Sequence, residues 1–187
     1  MRKMGSVPDF RKMGSVPFFV GALACALLLG FGYYLQYARG LEPCPLCLVQ
    51  RGFFYATGGI FLIAALHSPA RAGSVAYSLL AFLFAAGGAA TASRQVWLQH
   101  LPPDKVPQCG PDLAFMLEHF PLAQALKKLV AGSGECAAVD WTFLGLSIAE
   151  WSLAWFVILG GYALWLAVRA MRSRVSRTGS EAMSPGA

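Results

Sequence analysis

The sequence predicts an all-α fold: a four-helix transmembrane bundle with two loops on one outward face, the second long and carrying a short interfacial helix. Three observations predict it. Of the 187 residues, 57% are hydrophobic and only 13% charged, too little charge to cover a water-soluble domain of this size. Four apolar stretches, 17–37, 48–66, 74–93 and 151–168, carry the excess. As helices they span roughly 27–32 Å each, which matches a hydrocarbon core of about 30 Å. Finally, the run 18–32 has no polar stripe, which a helix of a soluble bundle would need.

The elements follow in order. The N-terminal arm, 1–16, holds RKMGSVP at 2–8, repeated at 11–17. The duplication points to an alternative start at Met4 or Met13, or to an artefact, and is given no structural role. The first span is too long for a signal peptide and has no small-residue cleavage site followed by polar sequence. Within it, Cys25 reads as a small buried hydrophobe. The first outward loop, 38–47, is short and ends in Cys44-Pro45-Leu46-Cys47. The second and third spans are joined by a turn at 67–73 that contains Pro69 and an exposed His67. The second outward loop, 94–150, holds Cys109 and Cys136. Residues 112–130 within it have a helical apolar period, with Leu113, Met116, Leu117, Phe120, Leu126 and Leu129 on one side. That pattern suits a helix lying on the membrane surface, or one packed on the bundle. Trp97, Trp141, Trp151 and Trp155 gather near span ends, as an interfacial belt does. After the fourth span, the tail 169–187 is polar and expected to be disordered.

Lysine and arginine counts set the expected orientation. Arg2, Lys3, Arg11, Lys12, Arg71, Arg169, Arg172, Arg174 and Arg177 fall on one side, against Arg39, Arg51, Arg94, Lys105, Lys127 and Lys128 on the other. Both termini are therefore expected in the cytoplasm and both longer loops outside it. The net charge of +6 is largely this topology signal. No stripe of basic and aromatic residues is present, so nucleic-acid binding is set aside.

The chemistry resides in the cysteines. A CxxC pair is a compact two-electron unit whose sulfurs can close a disulfide within one turn, and whose thiolate is readily stabilised by nearby positive charge. Here it stands at a water–lipid boundary, where a lipid-soluble electron carrier is a natural counterpart. Arg51 follows one helical turn after Cys47, a spacing that brings its guanidinium toward that sulfur. It could lower the thiol pKa and donate to a bound oxygen, or simply snorkel to the interface. Four outward cysteines suggest two oxidised pairs. Cys44–Cys47 is set by proximity and Cys109–Cys136 follows by elimination. The second pair could merely staple the long loop. A four-thiolate zinc site is disfavoured, because 26 residues separate Cys109 from Cys136.

Pro43-Cys44-Pro45-Leu46-Cys47 with Arg51, the cysteines of the second loop, Gly134-Glu135-Cys136 and Trp141-Thr142-Phe143-Leu144-Gly145-Leu146 occur in an order that resembles the disulfide bond formation protein B (DsbB) family. The resemblance runs from about residue 17 to 168. It implies a bacterial inner-membrane enzyme that takes electrons from a periplasmic thioredoxin-like thiol oxidase (DsbA-like) and passes them to ubiquinone or menaquinone, making disulfides for exported proteins. By the same resemblance, Cys47 interacts with the quinone, Cys44 exchanges with the second pair, Cys109 forms the mixed disulfide with the oxidase, and Cys136 is its partner. Arg94, Gln95 and His100, near the outer end of the third span, are candidates to line a quinone pocket with Arg51. Glu150 reads equally as an interfacial acid or a proton-handling group. Two rival readings are a vitamin K epoxide reductase-like enzyme and a non-catalytic membrane scaffold with structural disulfides.

Overall fold

The computed structural model describes residues 10–106, 134–139 and 141–181. Cys109 and the surface helix expected at 112–130 lie outside the described residues. Helix α1 (Phe10–Arg39) is followed by α2 (Pro45–His67), α3 (Arg71–Gln99), two 3₁₀ turns (Pro103–Lys105 and Gly134–Cys136), a hairpin of β1 (Thr142–Phe143) and β2 (Leu146–Ser147), and α4 (Ile148–Glu181). Four segments of these helices, Ser15–Arg39, Pro45–His67, Arg71–Gln99 and Ile148–Arg172, are long and apolar enough to cross a membrane. The chain is thus a multi-pass membrane protein with a four-helix bundle. All four helices outrun their expected spans, and two of them run on into the terminal segments. α1 starts at Phe10, just before the second copy of the N-terminal repeat, and the Ser15 hydroxyl of that copy meets the Ser68 hydroxyl at 2.6 Å. α4 continues past Val168 into the basic tail, since helical hydrogen bonding does not require apolar side chains, whereas spanning does.

Packing proceeds in chain order: α1 on α2, α2 on α3, and α3 most extensively on α4, while α1 and α4 hardly touch. Ala81, Ala85, Gly88 and Ala92 make a buried small-residue face on α3. With little attraction between apolar helices in lipid, such faces bring backbones close enough for dense van der Waals contact. Phe156 of α4 fills the space they leave and stacks on Phe54 of α2 with ring centroids 4.0 Å apart. Cys25 is buried against Gly58, as a small hydrophobe would be. At one end of the bundle, the Tyr162 hydroxyl donates to the Pro17 carbonyl at 2.7 Å and ties α4 to α1. At the other end the two helices part, and Cys44, Cys47 and Cys136 lie there.

The tightest seam suggests a stability test. A Cβ on Gly88 would run into the Phe156 ring, and that ring is held by its stack on Phe54. Gly88→Ala should therefore lower bundle stability by about 1–3 kcal/mol, the usual cost of overpacking. Unfolding in mixed detergent micelles would read this out, and a second change, Phe156→Leu, should recover part of the loss.

Candidate active site

The site begins with the first turn of α2. Pro45 stands at N1, where its missing N–H costs nothing and its fixed φ favours the helix. Cys44 is therefore the N-cap residue, and its sulfur accepts the Cys47 N–H at 3.4 Å. The spacing of three returns Cys47 to the same side, and the two Sγ atoms lie 2.9 Å apart. The unsatisfied N–H groups and positive dipole end of a helix start favour negative charge on such sulfurs.

Two other segments converge there. The 3₁₀ turn Gly134–Cys136 seats Cys136 in a buried cluster with Leu46 and Leu98, and Cys44 packs against it. Three sulfurs from two loops therefore share one site. The Cys44 thiol is pushed well above the ordinary range, first by its hydrogen bond with Cys136, then by that with Cys47, and then by burial. From α3, Gln95 donates through Nε2 to Cys44 Sγ at 3.4 Å and to Cys47 Sγ at 3.3 Å. The Cys47 thiol can also donate to Gln95 Oε1 at 3.6 Å. Gln50 of α2 donates to that same oxygen at 2.7 Å. Both glutamines are buried, 3% and 4% exposed for Gln50 and Gln95.

A cavity of about 840 Å³ opens beside the sulfurs. Its walls include Cys44, Cys47, Arg51 and Gln95, with apolar surface from α1 and α4 such as Leu28, Phe31 and Trp155. Arg51 donates to the Gln36 side chain and, at 3.1 Å, to the Gly32 carbonyl, and lies over the Tyr33 ring at 4.8 Å. The sequence places Arg51 one turn after Cys47. Its hydrogen bonds nevertheless go across to α1, where a helix passing close by offers oxygen acceptors.

Of the three candidates on α3, only Gln95 lines the cavity. Arg94 stacks over Trp97 at 4.3 Å, and His100 turns its Nδ1 back to the Val96 carbonyl at 2.8 Å. The helical period accounts for the split: Gln99, four residues beyond Gln95, shares its face and lines the cavity, whereas positions 94 and 100 point elsewhere. Glu150 has a local role. Its carboxylate accepts the Ser147 N–H at 2.6 Å while the Ser147 hydroxyl accepts the Glu150 N–H at 3.3 Å, a capping box at the start of α4. Ser147 also donates to Gln99 Oε1 at 2.8 Å, which fixes α4 to α3 beside the site.

Sequence reasoning missed Gln50, Gln36, Gln99 and the hairpin. A polar side chain within an apolar helix is itself a signal, and Gln50 lies three residues after Cys47. The hairpin turn at Leu144 and Gly145, both with positive φ, is the two-residue type that suits a twisted strand pair. It sets Phe143 beside Trp141 and Trp151, and Phe31 of α1 meets Trp141. These four rings line the cavity.

The family model described as disulfide bond formation protein DsbB matches residues 15–166. A protein of Hahella chejuensis named disulfide bond formation protein B is 50% identical over 157 residues, 84% of this chain and 94% of the relative. Relatives of the same name from Methylococcus capsulatus and Nitrosococcus oceani are 51% identical over 147 residues and 50% over 148. Each of those two alignments covers 79% of this chain, and 90% and 88% of the relatives respectively.

The cluster of sulfurs predicts a particular pH response. In the fully reduced chain, alkylation of Cys44 should begin only above the ordinary thiol range, because the hydrogen bond with Cys136 favours its protonated form. Cys136→Ala should move that onset downward. Site-resolved mass spectrometry after brief iodoacetamide treatment across pH would show it, and an onset unmoved by the substitution would remove Cys136 as the cause.

Proposed function

The chain belongs to the disulfide bond formation protein DsbB family, a membrane oxidoreductase that generates disulfides, and on that premise we propose that it reoxidises a periplasmic DsbA-like thiol oxidase and delivers the electrons to membrane quinone. The observation that carries this reading is the placement of the Cys44–Cys47 pair. It caps the start of a spanning helix and opens into an apolar cavity, with Cys136 of the long loop against Cys44. In this reading the cysteine-bearing end faces the periplasm of a bacterial inner membrane, both termini are cytoplasmic, and the membrane domain covers 17–168.

The roles are those that the family resemblance implies. Cys109 receives electrons from the soluble oxidase through a mixed disulfide, and Cys136 is its partner in the second pair. Cys136 then exchanges with Cys44, a step that their burial in one cluster favours. Cys47 is the sulfur that meets the quinone. Closing the Cys44–Cys47 disulfide releases two electrons and two protons. A quinone bound in the cavity supplies an acceptor for both.

The residues present fit such a group. The cavity walls are apolar and aromatic enough to hold a flat ring and an isoprenoid tail, and Arg51 adds a cation at the end where the sulfurs lie. Gln36 and Gly32 hold two N–H groups of its fork, so the remaining donors of a rigid guanidinium are already oriented. A preset donor of this kind stabilises charge that develops on a carbonyl oxygen.

The defining experiment is quinone reduction by the purified protein with a reduced thioredoxin-like partner. Cys47→Ser should abolish turnover while leaving membrane insertion intact; appreciable turnover would sink the assignment. Arg51→Ala should lower quinone efficiency about tenfold to a hundredfold, the equivalent of one charge-assisted contact worth about 1.5–3 kcal/mol. Thiol exchange measured without quinone should change far less, and Arg51→Lys should be intermediate. An unaltered apparent quinone affinity and turnover in Arg51→Ala would reduce Arg51 to a structural tie between α2 and α1.

A further inference from the structure

We propose that Gln95 and Gln50 form a thiolate clamp: Gln50 fixes the polarity of the Gln95 amide so that its N–H groups receive whichever sulfur of Cys44–Cys47 carries charge. The inference rests on the reading of that pair as redox-active, and it gives Gln95 a task toward sulfur rather than toward a quinone oxygen.

A primary amide has two faces, an acceptor oxygen and a donor nitrogen, and rotation about its terminal bond exchanges them. Beside the sulfurs this choice decides the chemistry. With nitrogen inward, Gln95 stabilises a thiolate; with oxygen inward, it opposes one. Gln50 Nε2 lies 2.7 Å from Gln95 Oε1, and with Gln50 in that orientation the flipped Gln95 amide would set two donors against each other. Both side chains are buried, so water cannot readily relieve that clash. Gln95 Nε2 is consequently held 3.4 Å from Cys44 Sγ and 3.3 Å from Cys47 Sγ. One amide serves both sulfurs because the cap geometry holds them 2.9 Å apart.

The step it serves balances without any added oxidant. The Cys136 thiolate bonds to the Cys44 sulfur, the Cys44–Cys47 bond breaks, and its electron pair leaves on Cys47. One negative charge passes from Cys136 to Cys47, and no proton need move. Gln95, in contact with the Cys44 and Cys47 sulfurs of this step, is a catalytic residue. Gln50, acting through it, is a positioning residue.

The test is site-resolved iodoacetamide labelling of Cys47 in the reduced full-length protein in detergent, followed across pH. It uses neither quinone nor protein partner, so it reads the clamp even if quinone turnover proves absent. Gln95→Met keeps the bulk but not the N–H, and should slow labelling at pH 7 about tenfold to a hundredfold, as expected for loss of a hydrogen bond to a charged group. The profile should move to higher pH with its alkaline plateau retained. Gln50→Met leaves the Gln95 amide free to rotate and should give a smaller shift in the same direction, about twofold to tenfold at pH 7. Gln50→His, which retains a ring N–H, should recover part of it. An unmoved profile in Gln95→Met would overturn the proposal. So would a uniform fall at every pH, plateau included, because that reports altered access rather than lost stabilisation of charge. A shift in Gln95→Met with none in Gln50→Met would remove the clamp and leave Gln95 a lone donor.

Discussion

One cap interaction organises the rest of the site: the Cys47 N–H held by the Cys44 sulfur across the first turn of α2. A helix that enters lipid must leave its first N–H groups somewhere. Here a thiol takes one of them, and Pro45 at N1 has none to offer. The same spacing that caps the helix brings Cys47 back beside Cys44. Backbone satisfaction and redox geometry are therefore one arrangement, and everything that reaches the sulfurs must approach this turn. The 3₁₀ turn with Cys136, the Gln95 amide and the cavity all do.

The bundle supplies the contrast between a firm support and an open end. Small residues along α3 let α4 come close, and the Phe54–Phe156 stack locks α2 to α4 beneath the site. The Tyr162 bond to Pro17 draws α1 and α4 together at the far end. With little to hold them at the near end, the same two helices diverge into cavity walls. Ser147 then anchors the start of α4 to Gln99, so the wall bearing Trp151 and Trp155 has a fixed origin. Its capping box engages both the N–H and the carboxylate of Glu150, a local purpose for an acid near the membrane.

Much of the fold was legible because spanning a bilayer is a severe requirement. Length and apolarity alone identified four helices, and the order of the Cys44–Cys47 motif, Arg51 and the later cysteines identified the family. The site was legible only in part. Cys44, Cys47 and Cys136 stand together, and Gln95 joins them, but Gln50 went unremarked because a glutamine three residues after a cysteine has no motif of its own. Its meaning depends on what α3 presents opposite it. Arg94 and His100 share a stretch of sequence with Gln95 but not its helical face, a distinction that needs the rotation of α3. Arg51 presents the same difficulty: its spacing from Cys47 is local, whereas its partners Gln36 and Gly32 belong to another helix. The helical ends were harder still, since α1 and α4 continue into segments with no apolar pattern to mark them.

The parting of α1 and α4 has a consequence for how any apolar ligand of the cavity is counted. Aromatic rings from Phe31, Trp141, Phe143 and Trp151 line the cavity on the side of these two helices and the hairpin. An apolar molecule that reaches the cavity from the bilayer arrives by lateral diffusion in a two-dimensional phase. Its effective concentration is its mole fraction among lipids, and aqueous volume does not enter. At a fixed amount of ligand, adding more lipid or detergent dilutes it, so an apparent affinity obtained in micelles reflects the quantity of surfactant as well as the fit of the site. Surface dilution, not bulk dilution, is then the variable to control when chains from this bundle are compared.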